Sequence, residues 1–301
     1  MAISRAQLVK ELEPGLNALF GLEYKSYANE HAEIFDTESS DRAFEEEVML
    51  SGFANASVKP EGQGVQFDDA QENFTARYTN ETIALAFAIT EEAIEDNLYD
   101  RLASRYTKAL ARSMANTKQV KAAAVLNNGF NASFAGGDGV ALFATNHPTI
   151  AGTFSNELAV ASDLNETSLE QSMIDIGKMT DERGLRIAAR GLKMIIPSEL
   201  QFTAERLMKS QGRTGTADND INAIVSMGMV PQGYRVNNYL TDTDAFYILT
   251  DVPNGMKMFN RAPLTTAMEG DFDTGNVRYK ARERYSFGVS DPRGIFGSPG
   301  A

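Results

Sequence analysis

His31 and His147 are the only imidazoles in the chain, and there is no cysteine beside them. Absence of cysteine excludes disulfides, thiolate metal sites and a thiol nucleophile. Neither histidine has His, Cys or carboxylate partners at metal-ligand spacing. His147 precedes Pro148, where it reads as a turn residue with a satisfied ring rather than a base. Gly136-Gly137-Asp138-Gly139 is dense in glycine, yet no Gly-Lys-Ser/Thr follows and the spacing is not a dinucleotide fingerprint. No Gly-x-Ser-x-Gly elbow occurs. Asp218 to Asp220 is too short for a calcium loop, and Glu45-Glu46-Glu47 and Asp68-Asp69 read as solvated surface. The residues therefore point to no catalytic group, no cofactor-binding group and no metal ligand. The sequence predicts a protein that is not an enzyme.

Composition limits the partners. The chain has 301 residues, 43% hydrophobic and 23% charged, enough for one large or two modest cores. No run approaches the ~18 consecutive apolar residues of a membrane span, and Met1-Ala2-Ile3-Ser4-Arg5 lacks the pattern of a signal peptide. The expectation is a soluble protein that stays in the compartment where it is made. With 28 basic and 41 acidic residues the formal charge is −13. Such a chain is a poor general binder of nucleic acid, because affinity for phosphate comes from Lys and Arg. The charge suits solubility, and equally a container that must not stick to polyanionic contents.

The elements that would position any site follow from spacing. Residues 2–30 mix short helical patterns with turn signals at Pro14-Gly15 and Gly21, and this arm should lie on something else. Val48, Leu50 and Phe53 lead into Lys59-Pro60-Glu61-Gly62-Gln63-Gly64, after which Val65, Phe67, Phe74, Ala76, Tyr78 and the apolar run to Ile89 read as the second arm of a long β-hairpin. Thr90 predicts a helix N-cap. Glu91, Glu92, Glu95 and Asp96 near the start and Lys108, Arg112, Lys118 and Lys121 farther on complement the helix dipole. The helix is expected to run over 91–128, about 57 Å at 1.5 Å per residue, to a left-handed stop at Asn127-Asn128-Gly129. Leu102, Tyr106, Leu110, Ser113, Thr117, Val120 and Ala124 form its apolar face. Arg101, Arg105, Lys108 and Arg112 form a basic stripe, read first as solvated and alternatively as a contact with DNA or a neighbouring subunit. Leu169, Met173, Ile176 and Met179 predict a second helix. Leu192–Ile196 is a buried strand, and Ser198 caps a helix carrying Leu200, Ala204, Leu207 and Met208. After strands near Val236 and Phe246–Val252 comes a tail of short extended pieces: 256–259, 265–268, 277–279 and 285–289.

This order of elements resembles a tailed-bacteriophage major capsid protein with the Hong Kong 97-type fold, and is similar above all to the Mu-like major head subunit group. The resemblance rests on Ile89-Thr90, Glu95-Asp96-Asn97-Leu98, Asn128-Gly129-Phe130, Asp138-Gly139, Leu142-Phe143, His147-Pro148, Arg282-Glu283-Arg284-Tyr285-Ser286-Phe287-Gly288 and Asp291-Pro292-Arg293-Gly294. It implies an α+β fold: an N-terminal arm (1–45), an extended hairpin loop (46–85), a peripheral domain (86–159) with spine helix 91–128, an α/β axial domain (160–254) and a return to the peripheral domain (255–301). It implies a structural, self-assembling subunit of hexamers and pentamers in an icosahedral shell around double-stranded DNA. The subunit would be assembled in the host cytoplasm, reside in the virion and contact no membrane. An encapsulin-like compartment is the alternative, and a small-molecule enzyme of α/β class is a third reading, disfavoured by the missing constellation.

The implied partners are further copies of the chain, portal and decoration proteins, and a separate scaffolding protein if any, because the segment before the hairpin is too short for a fused scaffolding domain. DNA would be enclosed without sequence-specific binding. Some members of the family form a lysine–asparagine cross-link between subunits, and Lys59 sits near the hairpin tip where such a lysine would be. The expected outcome on a denaturing gel of mature particles is a single monomer band, which excludes a link through Lys59; a ladder would establish one.

Overall fold

A computed structural model describes residues 5–90, 92, 99–213, 220–271 and 275–301. Helix α1 (Arg5–Ser26) is followed by β1 (Asp36–Ser39), β2 (Phe44–Leu50), β3 (Glu72–Thr79) and β4 (Glu81–Ile89). The long helix α2 is described from Tyr99 to Asn127. A short hairpin, β5 (His147–Thr149) and β6 (Gly152–Phe154), precedes helix α3 (Glu166–Lys178), strand β7 (Gly191–Ile196) and helices α4 (Gln201–Lys209) and α5 (Ala223–Ser226). Strands β8 (Tyr234–Val236), β9 (Phe246–Thr250), β10 (Met256–Gly270), β11 (Val277–Val289) and β12 (Ile295–Ser298) end the order. The architecture is α+β, as expected from sequence.

The first sheet has the order β1-β10-β11-β4, with β1 parallel to β10 and the other pairs antiparallel. Strict alternation along β11 divides it. Val277, Tyr279, Ala281, Glu283 and Tyr285 are buried, whereas Arg278, Lys280 and Arg282 are exposed. Tyr279 and Ala281 pack with Leu110, Ala111 and Met114 of α2 and with Leu16 and Phe20 of α1. Each such side chain contributes about 1.5–3 kcal/mol when fully buried. That packing makes a single helix of α1 despite Pro14 and Gly15, which face solvent. The expected series of short patterns is thus corrected. The proline removes one backbone bond, and the Leu16–Phe20–Tyr24 stripe against α2 compensates.

Over its described 29 residues α2 spans about 43 Å. Glu91, Glu95 and Asp96 of the expected first turns lie outside the described residues. The buried stripe is Ala103, Leu110, Ala111, Met114, Ala122, Ala123 and Leu126, with Thr107 and Gln119 among them. Of the expected apolar face Leu110 is buried, but Tyr106 and Val120 are half exposed. The many alanines of α2 permit close packing on the sheet, and a hydropathy pattern underweights them. The helix stops where expected, although Gly129 is not in the left-handed region. A Cβ there would lie 2.5 Å from Phe143 Cε2, so close approach requires this glycine.

The expected long hairpin is a two-stranded ribbon of β2 and β3 with an irregular, exposed tip at residues 52–71. Val65 and Phe67 are not in a strand. Ala54 N donates to Asp68 Oδ2 (2.7 Å) and Ser57 Oγ to Gln66 Oε1 (2.8 Å), so side chains, not a backbone ladder, link the two arms there. The chain turns at Pro60–Gln63, with Gly62 at φ +81°. Residues 81–89 leave the ribbon at Asn80 and become the edge strand of the first sheet.

The second sheet, β12-β9-β7-β8, is mixed, and only β7 and β8 run parallel. Its core joins Leu169 and Ile176 of α3, Met194 and Ile196 of β7, Ala204 and Leu207 of α4, and Phe246 and Ile248 of β9. Asn165 and Ser168 form a capping box at the start of α3, with bonds of 2.8 and 3.0 Å. Ser198 is not the expected cap: its hydroxyl meets Glu199, and a 3-10 turn intervenes before α4. The four tail pieces are two long strands, β10 and β11. Register shifts near Asn260–Thr265 accommodate Pro263 in β10; of the charged residues that broke the apparent pattern in β11, Lys280 and Arg282 lie on the exposed face and Glu283 is buried beside Lys118.

His31 sits in the 3-10 turn Glu30–Glu33, buried against Phe287. Gln119 Oε1 accepts from His31 N, so its Nε2 donates to His31 Nδ1, both at 2.9 Å. This fixes a neutral ring, because a proton on Nδ1 would face another donor. Burial, then the charge of Lys118, pushes the pKa of His31 down to about 4. The unfolded chain therefore binds the proton first. Stability from this site is complete above pH ~6.5 and decreases by about 2–3 kcal/mol as pH falls to ~4. Urea unfolding across that range should show a smaller pH dependence in His31→Gln than in wild type; identical slopes would remove His31 from the account.

Candidate functional site

The motifs noted along the sequence meet at one buried polar junction between the two sheets. Gly136-Gly137-Asp138-Gly139 is not a phosphate cradle. A Cβ on Gly137 would lie 2.6 Å from Thr75 O, so the loop is seated directly on β3 of the ribbon. Gly139 takes φ +83°. Asp138 Oδ2 lies 2.5 Å from His147 Nδ1, and Asn156 Oδ1 lies 3.0 Å from His147 Nε2. Asn156 Nδ2 donates to the carbonyls of Leu142 (2.7 Å) and Pro292 (3.0 Å), which orients its amide so that Oδ1 must face the imidazole. Both ring nitrogens therefore point at acceptors, and the ring, fully buried, stacks on Phe154 at 4.8 Å. Fully buried, and with both ring nitrogens engaged by Asp138 and Asn156, His147 has no access to a substrate. It acts as a cross-brace.

Arg293 lies beside it, its side chain 3% exposed. Its Nη2 meets Glu182 Oε1 at 2.6 Å, Nη1 meets Asp291 Oδ1 at 3.2 Å, Nε donates to Thr180 O at 2.7 Å, and the guanidinium covers the Phe154 ring at 4.1 Å. Glu182 Oε2 in turn accepts from Asn73 Nδ2 of the ribbon at 2.5 Å. Burial pushes the Asp291 carboxyl above its usual range, and Arg293 draws it back only in part.

A second cluster holds the ribbon root. Lys257, its side chain 6% exposed, meets Glu47 Oε1 at 2.5 Å and Glu38 Oε1 at 2.9 Å. Burial alone would lower its pKa, but the hydrogen bonds with Glu47 and Glu38 outweigh it and the value ends raised. Ser290 Oγ donates to Glu47, and Tyr78 OH lies 2.5 Å from Ser290 Oγ. The reading of Glu45-Glu46-Glu47 as solvated surface is corrected here. Strand alternation turns Glu45 toward Ser40 (2.8 Å) and Glu47 toward Lys257, leaving Glu46 outward near Arg77. Asp68 is solvent-exposed but bonded across the tip. Asp218 lies outside the described residues, and Asp220 contributes its backbone oxygen to Arg213 N.

Among the described residues no cluster of His, Asp and Glu could hold a metal ion, and no helix is long and apolar enough to cross a membrane. The large open feature is a groove of about 820 Å³ between β3, the end of α2 and β11, floored by Leu142 and Tyr285. Beyond it the ribbon tip exposes Phe53, Val58, Val65 and Phe67, the last 98% accessible, above no core of its own. Lys59 is exposed on the same tip. Sequence reasoning did not single out Asn156, Glu182 or Lys257, since nothing in their local spacing marks a polar residue whose partners lie up to 210 positions away.

The phage capsid protein family model matches residues 73–297. No curated protein sequence matches the chain. Solved structures do. The virus-like particle from Pyrococcus furiosus is 10% identical, with TM-score 0.52 over 94% of this chain and 97% of that one. The procapsid of bacteriophage JBD30 is 15% identical, with TM-score 0.55 over 98% and 76%. The capsid of cyanophage P-SCSP1u is 12% identical, with TM-score 0.58 over 89% and 86%. At such identities these likenesses concern the fold.

Replacing Arg293 by Met leaves Glu182 and Asp291 buried without their cation. It should destabilise the protein by about 3–5 kcal/mol in urea unfolding. Arg293→Lys should recover only part, because an ammonium cannot serve three directions and the ring face at once. A Met variant within ~1 kcal/mol of wild type would show that the junction does not hold the tail.

Proposed function

Because the chain belongs to the phage capsid protein family, we propose that it is the major head subunit, building hexamers and pentamers of an icosahedral shell around double-stranded DNA. The family is structural rather than enzymatic, and so is this member of it. The observation that carries the finer reading is the ribbon. Its root is stapled into the body by Lys257, Glu47 and Ser290, while its tip presents exposed apolar side chains with nothing folded beneath them. Such a tip is stable in water only at a cost, which contact with another copy removes.

In this reading the subunit has the Hong Kong 97-type plan, with residues 1–45 as arm, 46–85 as hairpin loop, 86–159 and 255–301 as peripheral domain around the spine helix, and 160–254 as axial domain. The Mu-like head subunits remain the group whose motifs support it. Heterologous ring contacts around the axial domain close the capsomers, and the ribbon and arm reach onto neighbours. Many repeated weak contacts then suffice for a stable shell. A separate scaffold, portal and decoration proteins are the further partners, with assembly in the host cytoplasm. An encapsulin-like compartment has the fold-level likeness to the Pyrococcus particle in its favour; protein-filled rather than DNA-filled particles would distinguish it.

Negative-stain microscopy of the purified chain, with and without a scaffold, should show closed shells or capsomer rings; persistent monomers under all conditions would overturn the reading. Replacing residues 52–71 by a short turn should leave the unfolding midpoint nearly unchanged and abolish closed shells. Normal shells from that variant would remove the ribbon from assembly.

A further inference from the structure

Helix α2 is a basic element in an acidic chain. Its sequence from Tyr99 to Asn127 holds six Lys and Arg residues and one carboxylate, Asp100, within a chain of charge −13. Two of the six are satisfied by the fold, Lys118 by Glu283 and Lys121 by Glu81. Arg105, Lys108 and Arg112 are not. All three are exposed, and among the described residues none has a carboxylate within ion-pair reach. The side chain of Arg101, the fourth member of the stripe expected from sequence, lies outside the described ones.

At 100° per residue the three cations fall within about 60° of one another, opposite the buried Ala103, Thr107, Leu110 and Met114. They span about 10 Å along the axis, with the short, uncharged and exposed Ala109 and Asn116 beside them. A helix face that serves only for solvation gains from interleaved signs. Unlike charges at i,i+3 and i,i+4 support a helix, whereas like charges at those spacings weaken it. Arg105 with Lys108 and Lys108 with Arg112 are both like pairs, so the arrangement works against the helix that carries it. Solvation alone leaves that cost standing, and an external anion removes it.

The anion that fits this face is a nucleic acid duplex. A duplex carries one charge per about 1.7 Å of axis, so about six phosphates pass along the length of the stripe. An acidic protein segment offers far fewer over the same distance. Two of the three cations are guanidinium groups, which meet phosphate oxygens in bidentate fashion. A wall so acidic repels a polyanion. Three cations per copy, repeated around a shell, would hold it at fixed places without reading its sequence. Arg278, Lys280, Arg282 and Arg284 line up on β11, on the face turned away from α2, but there Arg278 is paired with Asp271 and Arg284 is half-buried.

We propose that the exposed face of α2 at Arg105, Lys108 and Arg112 is the surface that contacts the phosphate backbone of the enclosed double-stranded DNA. The inference rests on the shell reading and assigns to α2 the side of the subunit that meets the contents.

The test uses the full-length chain and a short fluorescent duplex of arbitrary sequence. Anisotropy between ~50 mM and ~200 mM salt should give a log–log slope of about −2.7, three phosphates at about −0.9 each. Arg105→Gln/Lys108→Gln/Arg112→Gln should bind roughly tenfold more weakly and lose most of that slope. Its thermal midpoint should stay or rise, because the like-charge pairs are gone. Arg105→Lys/Lys108→Arg/Arg112→Lys, which keeps the charge, should remain within about threefold of wild type. A photo-reactive p-benzoylphenylalanine in place of Ala109 should cross-link to the duplex. In place of Ala267, beside Lys280 on the opposite face, it should not.

Unchanged affinity in the Gln variant, or equal cross-linking from the two positions, would overturn the proposal. If that variant binds duplex as wild type does yet no longer forms shells, the face is a contact between copies instead. Normal shells from a chain whose Ala109 probe never reaches duplex would overturn the proposal and leave the shell reading standing. A wild-type chain that never forms particles would remove the shell reading, and enclosure with it, whatever its affinity for duplex.

Discussion

A guanidinium removed from water must be met on every side, and Arg293 is met from three separate stretches of chain. Asp291 comes from its own turn, Thr180 and Glu182 from the loop after α3, and Phe154 from the short hairpin. Asn73 extends the network into the ribbon through Glu182. None of these segments can shift without stranding a buried charge, a penalty of several kcal/mol. The C-terminal strand, the ribbon root and the second sheet are therefore fixed relative to one another by a single residue near the end of the chain.

His147 and Asn156 extend that logic to neutral backbone. Asn156 satisfies carbonyls of Leu142 and Pro292 while its own oxygen receives Ala144 N and the His147 ring. These are buried irregular segments, whose backbone polar groups have no ladder to join. A side-chain amide can serve both donors and acceptors at once, which explains its place at the centre. The aromatic cluster of Phe130, Phe143 and Tyr247 closes over the junction, with Phe143 so near Gly129 and Gly297 that neither can carry a side chain without displacement.

The ribbon inherits a rigid base and a free end. Lys257, Glu47, Ser290 and Tyr78 tie its root to β10 and the residues after β11, and Arg183 meets Asp68 and Asp69, while residues 52–67 have only a few side-chain bonds within the tip. A segment so anchored presents its apolar residues at a defined distance from the body without ordering them. That division is what a shell subunit needs: stiffness where the fold must persist, and adaptability where a neighbour supplies the remaining surface.

Local chemistry determined much of this chain. Helix α2 was legible because a long uninterrupted run ended by Asn-Asn-Gly has few other solutions, and α3 because Leu169, Met173, Ile176 and Met179 recur at helical spacing. The satisfied ring of His147 was legible from its place before a proline, though its partners were not. The family resemblance lay in short motifs whose common purpose appears only in three dimensions, where Gly129, Asp138, Phe143, His147 and Arg293 surround one junction. Tertiary structure decided the rest. It made one helix of residues 5–26 across a proline, divided the expected hairpin between two sheets, and joined four tail pieces into two long strands. It also turned one glutamate of three toward a buried lysine and aligned four cations on β11. In each case the deciding term is a contact between residues far apart in sequence, worth more than the local preference it overrides, and no spacing along the chain records it.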